Sequence, residues 1–377
     1  MIDVSNFYVE LTKNEIDFFT GVPDSLLKDF CAYIKDNTKS ENNIIAANEG
    51  NAVAMAAGYH LATGKIPLVY MQNSGLGNAI NPLASLIDEL VYSIPMILVV
   101  GWRGEPGIKD EPQHKKQGLI TKELIEILGI KYEILSEDTS NEEAKIIIEK
   151  AYSYSKQNNE AVALIIKKGT FGEYRLKDND GGKFELSREE AIEIIISKTK
   201  EDDIIISTTG MASRELFEIR EKRGESHEKD FLTVGSMGHA SQIALGIALN
   251  KKDRDIYCID GDGALLMHLG GLAIIASQNP ENFKHIVINN GAHDSVGGQE
   301  TVALNLDLRK TAISLGYKAA YSCSTKEDLE RISREIKDIK GPVLLEVIVK
   351  KGARKNLGRP TTTPIENKEN FMRFLNK

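Results

Sequence analysis

Along the whole chain, short apolar runs ending in glycine-containing turns alternate with segments of helical periodicity, and they do so in two successive series. In the first, "EIDFFTGVP", "NIIAANEG", "IPLVYMQNSG", "PMILVVGWRG" and "AVALIIKKG" read as strands, with "SLLKDFCAYIKDN" and "TKELIEILGI" as helices. These runs are apolar almost throughout, the pattern of a strand buried on both faces, as in a parallel sheet built from βαβ units. The second series opens with "REEAIEIIISKTK" and continues through "DDIIISTTG", "DFLTVGSMG", "RDIYCIDGDG", "FKHIVINNG" and "GPVLLEVIV". Between the series, "GTFGEYRLKDNDGGKFEL" is polar and glycine-rich, the texture of a linker. The expected fold is α/β, with two doubly wound parallel-sheet domains over residues 1–175 and 176–377. A length of 377 residues agrees, because a single core seldom grows that large.

The two series match in detail as well as in class. At an offset of 188 positions, Gly50, Ala52, Ala56, Gly58, Leu61 and Gly75 fall on Gly238, Ala240, Ala244, Gly246, Leu249 and Gly263, which predicts a duplicated fold. The same offset sets Glu49 against Met237 and the turn at Ser74 against the turn at Asp262. Open parallel sheets bind ligands beyond the carboxyl ends of their strands. Two related domains facing each other can therefore enclose one elongated cofactor.

Composition narrows the partners. The chain is 41% hydrophobic and 27% charged, an ordinary globular balance, with no apolar run long enough for a bilayer and no signal pattern in "MIDVSNFYVELTKNE". A cytoplasmic location and no membrane contact are expected. A net charge of −8 argues against nucleic acid, which needs a basic face, and leaves room for a small anionic ligand. Cys31, Cys258 and Cys323 lie far apart, without the spacing of a zinc site or a disulfide framework.

The sharpest motif joins "IDGDGALL" to "VINNGAHDSVGGQET". Mg²⁺ asks for about six oxygen ligands and takes one or two from side chains, with the rest from phosphate, water and carbonyls. Asp262 offers a carboxylate between Gly261 and Gly263, which let main-chain amides approach a diphosphate. The amide oxygen of Asn290 and the main-chain carbonyl of Ala292 complete the candidate metal set. Alone, "GDG" is no more than a tight turn; followed by "NN" after 25 intervening residues it becomes a metal–diphosphate signature.

With both halves of that signature present, the chain resembles the thiamine-diphosphate (ThDP) dependent 2-oxoacid decarboxylases, and the likeness covers both domains. The resemblance implies ThDP and Mg²⁺ as cofactors. It implies that Glu49, in "NEGNAVAMAAGY", hydrogen-bonds the aminopyrimidine ring, that Met237 holds the cofactor bent, and that the Gly235 carbonyl accepts from the 4'-amino group. Ser74, Gly75, Thr208, Gly210 and Ala264 are carried over as further cofactor contacts, beside Gly261, Asp262, Gly263 and Asn290. The thiazolium carbon is a weak acid, so its activation needs the aminopyrimidine as a base, a state favoured when Glu49 protonates the far ring nitrogen. The family usually holds the two ends of the cofactor on different subunits, which implies a homodimer or a larger homo-oligomer.

Most such decarboxylases carry a middle domain; this chain lacks one. "FFTGVPDSLLKDF", "QNSGLGNAINPLASL", "GWRGEPGIKDEPQHKKQG" and "NLGRPTTTP" resemble the compact members that act on 2-oxoacids bearing a second acidic group. In "TGVPDSLL", Pro23 suits a first helical turn, so the amides near Ser25 and Leu26 form an expected anion site, with Asp24 an awkward neighbour and an ordinary capped helix the alternative. Arg103, Lys109, His114, Lys115, Arg354 and Arg359 are the candidate cations, of which one or two are expected to touch substrate. Asp24, Ser25, Arg103 and Arg359 form the expected substrate set. His114 is the candidate proton donor on an expected mobile loop, and His293 can approach the thiazolium. His268, in an expected helix, and His285, leading a strand, read as structural. The remaining readings are another ThDP-dependent decarboxylase or a carboligase, and a ThDP-binding subunit without activity. Glu49 and the complete GDG/NN pair on one chain weigh against the last.

Overall fold

The computed structural model describes residues 1–177 and 184–377, so the middle of the expected linker lies outside the described residues. The chain forms two compact units, Met1–Asn179 and Asp180–Lys377. In the first, the strands are β1 (Phe19–Gly21), β2 (Asn43–Ile45), β3 (Leu68–Gln72), β4 (Met96–Gly101), β5 (Lys131–Leu135) and β6 (Ala161–Ile166). They pair in parallel in the order β2-β1-β3-β4-β6-β5. The second unit holds β7 (Ile204–Ser207), β8 (Asp230–Leu232), β9 (Ile256–Gly261), β10 (Phe283–Asn289), β11 (Ala319–Cys323) and β12 (Val343–Ile348). Counted from β8, this parallel sheet runs β8-β7-β9-β10-β12-β11, the order of the first sheet with each strand matched to the one six later. The expected duplicated fold is present. The 188-residue offset carries β5 onto β11 residue for residue and places Leu68 of β3 on Ile256 of β9.

Each sheet is covered on both faces. Along β6, Val162, Leu164 and Ile166 enter one apolar cluster, and Ala161, Ala163 and Ile165 enter the other. Along β10, Ile286 and Ile288 face one cluster, and Phe283 and Val287 face the other. Strands covered on both faces are mostly apolar, which is why the sequence shows apolar runs. The helix Glu49–Thr63 buries Ala52, Val53, Ala56 and Ala57, and its counterpart Ala240–Ala248 buries Ala240, Ala244, Leu245 and Ala248. These small side chains let each helix lie close to its sheet beside the strand order's reversal, where open sheets take ligands.

Several local expectations are corrected. The helix expected from Ser25 begins at Lys28, and the one expected from Thr121 spans Pro112–Ile127, so His114 lies in a helical first turn instead of a loop. His268 stands just past the helix Asp262–Met267. The expected terminal helix is present as Pro364–Leu375, opened by a Thr363/Glu366 capping box and anchored by buried Phe371 and Phe374. All three cysteines are buried and unpaired with one another. Among the described residues, no helix is long and apolar enough to cross a membrane.

Candidate active site

In the second unit, the candidate residues gather where β7, β9 and β10 end. Asp262 opens a helix directly after β9 and is 4% exposed; its carboxylate accepts from the Thr301 hydroxyl. Burial raises its carboxyl to about 6 against the pull of that hydroxyl and of main-chain amides. Beyond β10 the twin asparagines divide their work. Asn289 is buried, donates to Glu346 at 2.7 Å and accepts from the Gly291 amide at 3.1 Å, which shapes the turn. Asn290 accepts through Oδ1 from the Ala292 amide at 3.0 Å and donates through Nδ2 to Asp294 at 2.6 Å. Gly291 has φ of +66°, a left-handed conformation that glycine adopts without a Cβ penalty.

The remaining cofactor candidates line the same strand ends. Thr208 follows β7 and donates its amide to Ile259 at 2.8 Å. Thr209 accepts from the Gly235 amide at 3.0 Å, tying the turn at Gly210 to the turn after β8. Gly210 and Gly235 have φ of +92° and +70°. A Cβ on Gly263 would lie 2.9 Å from the His293 ring and 3.3 Å from the Met237 methyl, so Met237 and His293 both sit against Gly263. Burial holds the His293 imidazole down at about 4, hence neutral at neutral pH. Ala264, next to Gly263, is buried.

These residues fit the implied group. Carboxylate, amide oxygen and main-chain carbonyl are hard oxygen donors, which suit Mg²⁺. A buried carboxylate influenced chiefly by burial, neutral donors and the negative charge of Asp294 is a group that a cation would stabilise. Asp262, Asn290 and Ala292 could hold the metal, and Gly261, where a Cβ would meet nothing nearer than Thr208 at 3.9 Å, leaves space beside them.

In the first unit, Glu49 is the first residue of its helix and is 4% exposed. Asn78 donates to its carboxylate at 2.8 Å, and burial raises its pKa against that bond. Gly75, in the turn after β3, has no space for a side chain, because a Cβ would lie 2.5 Å from the Glu49 carboxylate. Ser74 beside it donates to Gln72 at 2.7 Å, and Gln72 donates to Asp24. The anion site expected at Ser25 and Leu26 is corrected: no helix starts there, and the Leu26 amide donates to Asp24 itself at 2.9 Å. Asp24 is fully buried and occupies the position expected for a ligand's anionic group.

Arg103 follows β4, and Asp110 grips it from one side while its Nη1 donates to Ser25 at 2.7 Å. His114 is buried near this cluster with Nδ1 unpartnered among the described residues, and burial followed by the Arg103 charge lowers its pKa. Lys109 and Lys115 are exposed. In the second unit, Arg354 is engaged by Glu189 and Glu218, and Arg359 is exposed. His285 is buried in β10 between Asp260 and Tyr317, a core position that agrees with its structural reading.

Sequence reasoning passed over Thr301, Asp294, Asn78 and Asp110, each of which holds a candidate residue in place. The one available signal was the Gly297–Gly298 pair, whose positive φ angles turn the chain back so that Thr301 reaches Asp262.

Comparison with known proteins supplies independent information. Residues 5–124 match the thiamine pyrophosphate enzyme N-terminal TPP binding domain, and residues 207–347 match the thiamine pyrophosphate enzyme C-terminal TPP binding domain. Over its full length the chain is 30% identical to a phosphonopyruvate decarboxylase of Streptomyces viridochromogenes, covering 95% of that protein. A phosphonopyruvate decarboxylase of Streptomyces hygroscopicus is 31% identical, with 99% of this chain and 94% of that protein covered. A sulfopyruvate decarboxylase of Methanosarcina acetivorans is 29% identical, with 97% and 95% covered. With both binding domains in order on one polypeptide and decarboxylases matched from end to end, the chain belongs to the thiamine-pyrophosphate-dependent enzyme family.

Proposed function

We propose that this chain is a phosphonopyruvate decarboxylase, releasing CO₂ from 3-phosphonopyruvate and leaving phosphonoacetaldehyde as a step in the biosynthesis of phosphonates of the 2-aminoethylphosphonate type. The observation that carries the reading is the end-to-end likeness to two phosphonopyruvate decarboxylases, with Glu49 and the whole GDG/NN pair on the same chain. The cofactors in this reading are ThDP and Mg²⁺, the location is the cytoplasm, and the working form is a homodimer or larger homo-oligomer. Bound ThDP supplies the electron sink for the carbon–carbon bond that breaks.

The chain's residues take the following parts. Asp262, Asn290 and the Ala292 carbonyl hold the metal, and Gly261, Gly263 and Ala264 admit the diphosphate. Thr208, Gly210 and Gly235 border it, with Met237 packed beside Gly263. Glu49 keeps a proton more readily than an exposed glutamate because it is buried, which suits an acid partner for a ring nitrogen. Ser74 and Gly75 shape the turn against it. Arg103 and Ser25 form a polar group for the substrate's acidic end, with Arg359 as a second cation. His114 is mainly neutral at neutral pH, and an anionic substrate beside it would raise its pKa toward the range of a proton donor.

The test is CO₂ and aldehyde formation by the purified protein with ThDP and Mg²⁺, offered phosphonopyruvate, sulfopyruvate and pyruvate at matched concentrations. Preference for phosphonopyruvate is expected. The 29% identity to a sulfopyruvate decarboxylase favours sulfopyruvate as the second reading, and preference for it would replace the first. No turnover of any of the three by protein with bound cofactor would leave a ThDP-binding chain with another substrate or no activity.

A further inference from the structure

Asp294 makes none of the contacts assigned to the metal or the diphosphate, yet it is the most heavily used carboxylate near them. Its Oδ2 accepts from three donors: Asn290 Nδ2 at 2.6 Å, the Gly352 amide at 3.0 Å and Arg188 Nη1 at 3.1 Å. Arg188 is in turn gripped by Glu215, with Nε to Oε2 at 2.7 Å and Nη2 to Oε1 at 3.0 Å. The side chains of Arg188, Glu215 and Asp294 are 8%, 2% and 10% exposed, so this is a buried network.

A carboxamide has two faces of opposite character, and a metal can use only one. For Asn290 the choice is dictated from both sides: the carboxylate of Asp294 accepts only and must meet the NH₂ group, while the Ala292 amide donates only and must meet the oxygen. Rotating the amide by half a turn would set NH₂ against N–H and oxygen against carboxylate. We propose that Asp294 is the positioning residue of the metal site, fixing the Asn290 amide so that Oδ1 is presented as a ligand, with Arg188 and Glu215 holding Asp294 in place. This rests on the reading of Asp262, Asn290 and Ala292 as the metal set. Groups that orient metal ligands in this way typically account for about 10- to 100-fold in affinity.

The experiment measures Mn²⁺ binding by electron paramagnetic resonance at saturating ThDP, with Mn²⁺ as an oxygen-seeking probe for Mg²⁺, and the melting temperature of each variant alongside. Asp294→Ala removes the acceptor and leaves Arg188 its partner Glu215, so it is expected to fold and to bind Mn²⁺ about 10- to 100-fold more weakly. Asp294→Asn keeps one oxygen where all three donors converge and is expected to bind within about threefold of the parent protein, because orientation survives the loss of charge. If Asn falls as far as Ala, Asp294 acts by its charge and the inference is overturned; an Ala variant with parental affinity overturns it equally. Asp294→Ser, whose hydroxyl is one bond shorter than the carboxylate, replaces the Ala variant if that one does not fold. Asn290→Ala tests the underlying site: if it keeps parental affinity, the metal set is wrong and the inference falls with it. If Asn290→Ala loses binding and Asp294→Ala does not, the inference alone fails.

Discussion

Glu49 shows at one residue how an activity and stability pull apart. Burial raises its pKa in the folded chain, with Asn78 pulling the other way, whereas in the unfolded chain it titrates as an ordinary glutamate. Folding therefore binds a proton in the window above the ordinary glutamate range. The stability this contributes is complete below that range and is lost as pH rises through the raised value. Replacing Glu49 by glutamine keeps an acceptor for Asn78 and removes the charge. Turnover should fall by about two to four orders of magnitude, the usual weight of an acid–base group, while the cofactor-free protein melts at a higher temperature than the parent at pH 7. That advantage should shrink as the pH is lowered toward the ordinary glutamate range. A variant less stable than the parent at pH 7 would contradict the account of the carboxyl's burial. Arg359, assigned to the substrate, makes a different prediction: Arg359→Ala should raise KM by about ten- to a hundredfold, the worth of a hydrogen bond to a charged group, and leave ThDP binding nearly unchanged. Equal losses in both would make its role structural.

At the scale of the element, the carboxyl end of β10 is where fold and site are hardest to separate. Asn289→Ala would strip a buried partner from Glu346 and from the Gly291 amide, leaving Glu346 with the Ser322 hydroxyl. A cost of about 1–3 kcal/mol is expected, read as a lower midpoint in urea. Asn290→Ala should cost less stability and far more metal affinity, and the reverse ranking would refute the division of labour. The two amides looked alike in the sequence because a motif records residue type and spacing, whereas their roles depend on which neighbour each side chain meets. The strands were legible on the same terms. Ten of the twelve carry or border an apolar run, and those were recognised. The other two, β5 and β11, are the matched edge strands of the two sheets. Their sequences, "KYEIL" and "AAYSC", are largely exposed or half-buried, so they carry no continuous apolar signal. Helix starts failed for a related reason: at Asp24 a side chain bonds the Leu26 amide where a first helical turn was expected. Asp110 and Asp294 were illegible because each is a turn-borne carboxylate that no local pattern announces, whereas for Thr301 only the Gly297–Gly298 pair hinted at the turn that brings it to Asp262.

At the scale of the whole molecule, one architecture appears twice and the candidate residues are divided between the two copies. The offset that aligns the sheets sets Met237 against Glu49, and Asp262 against Ser74. The first unit thus has a buried acid and no carboxylate in the turn after β3, whereas the second has the candidate metal carboxylate after β9 and a methionine in place of the acid. A duplicated fold alone would suggest two binding sites per chain; this partition of residues calls for one ThDP and one Mg²⁺. Calorimetric titration should return that stoichiometry, and two equivalents of cofactor per chain would mean that the units act as separate sites. Stability should follow the same linkage. Without a cation, Asp262 is buried with its carboxyl raised to about 6, a group whose ionisation opposes folding at neutral pH. Ligand at a hundred times its Kd adds about 2.7 kcal/mol, and for a unit of this size that corresponds to a rise in Tm of roughly 5–10 °C. The rise should need ThDP and Mg²⁺ together and disappear in EDTA, because the diphosphate and Asp262 repel each other unless a cation lies between them. An undiminished rise with ThDP in EDTA would place the diphosphate away from Asp262 and dissolve the link between the GDG turn and the metal.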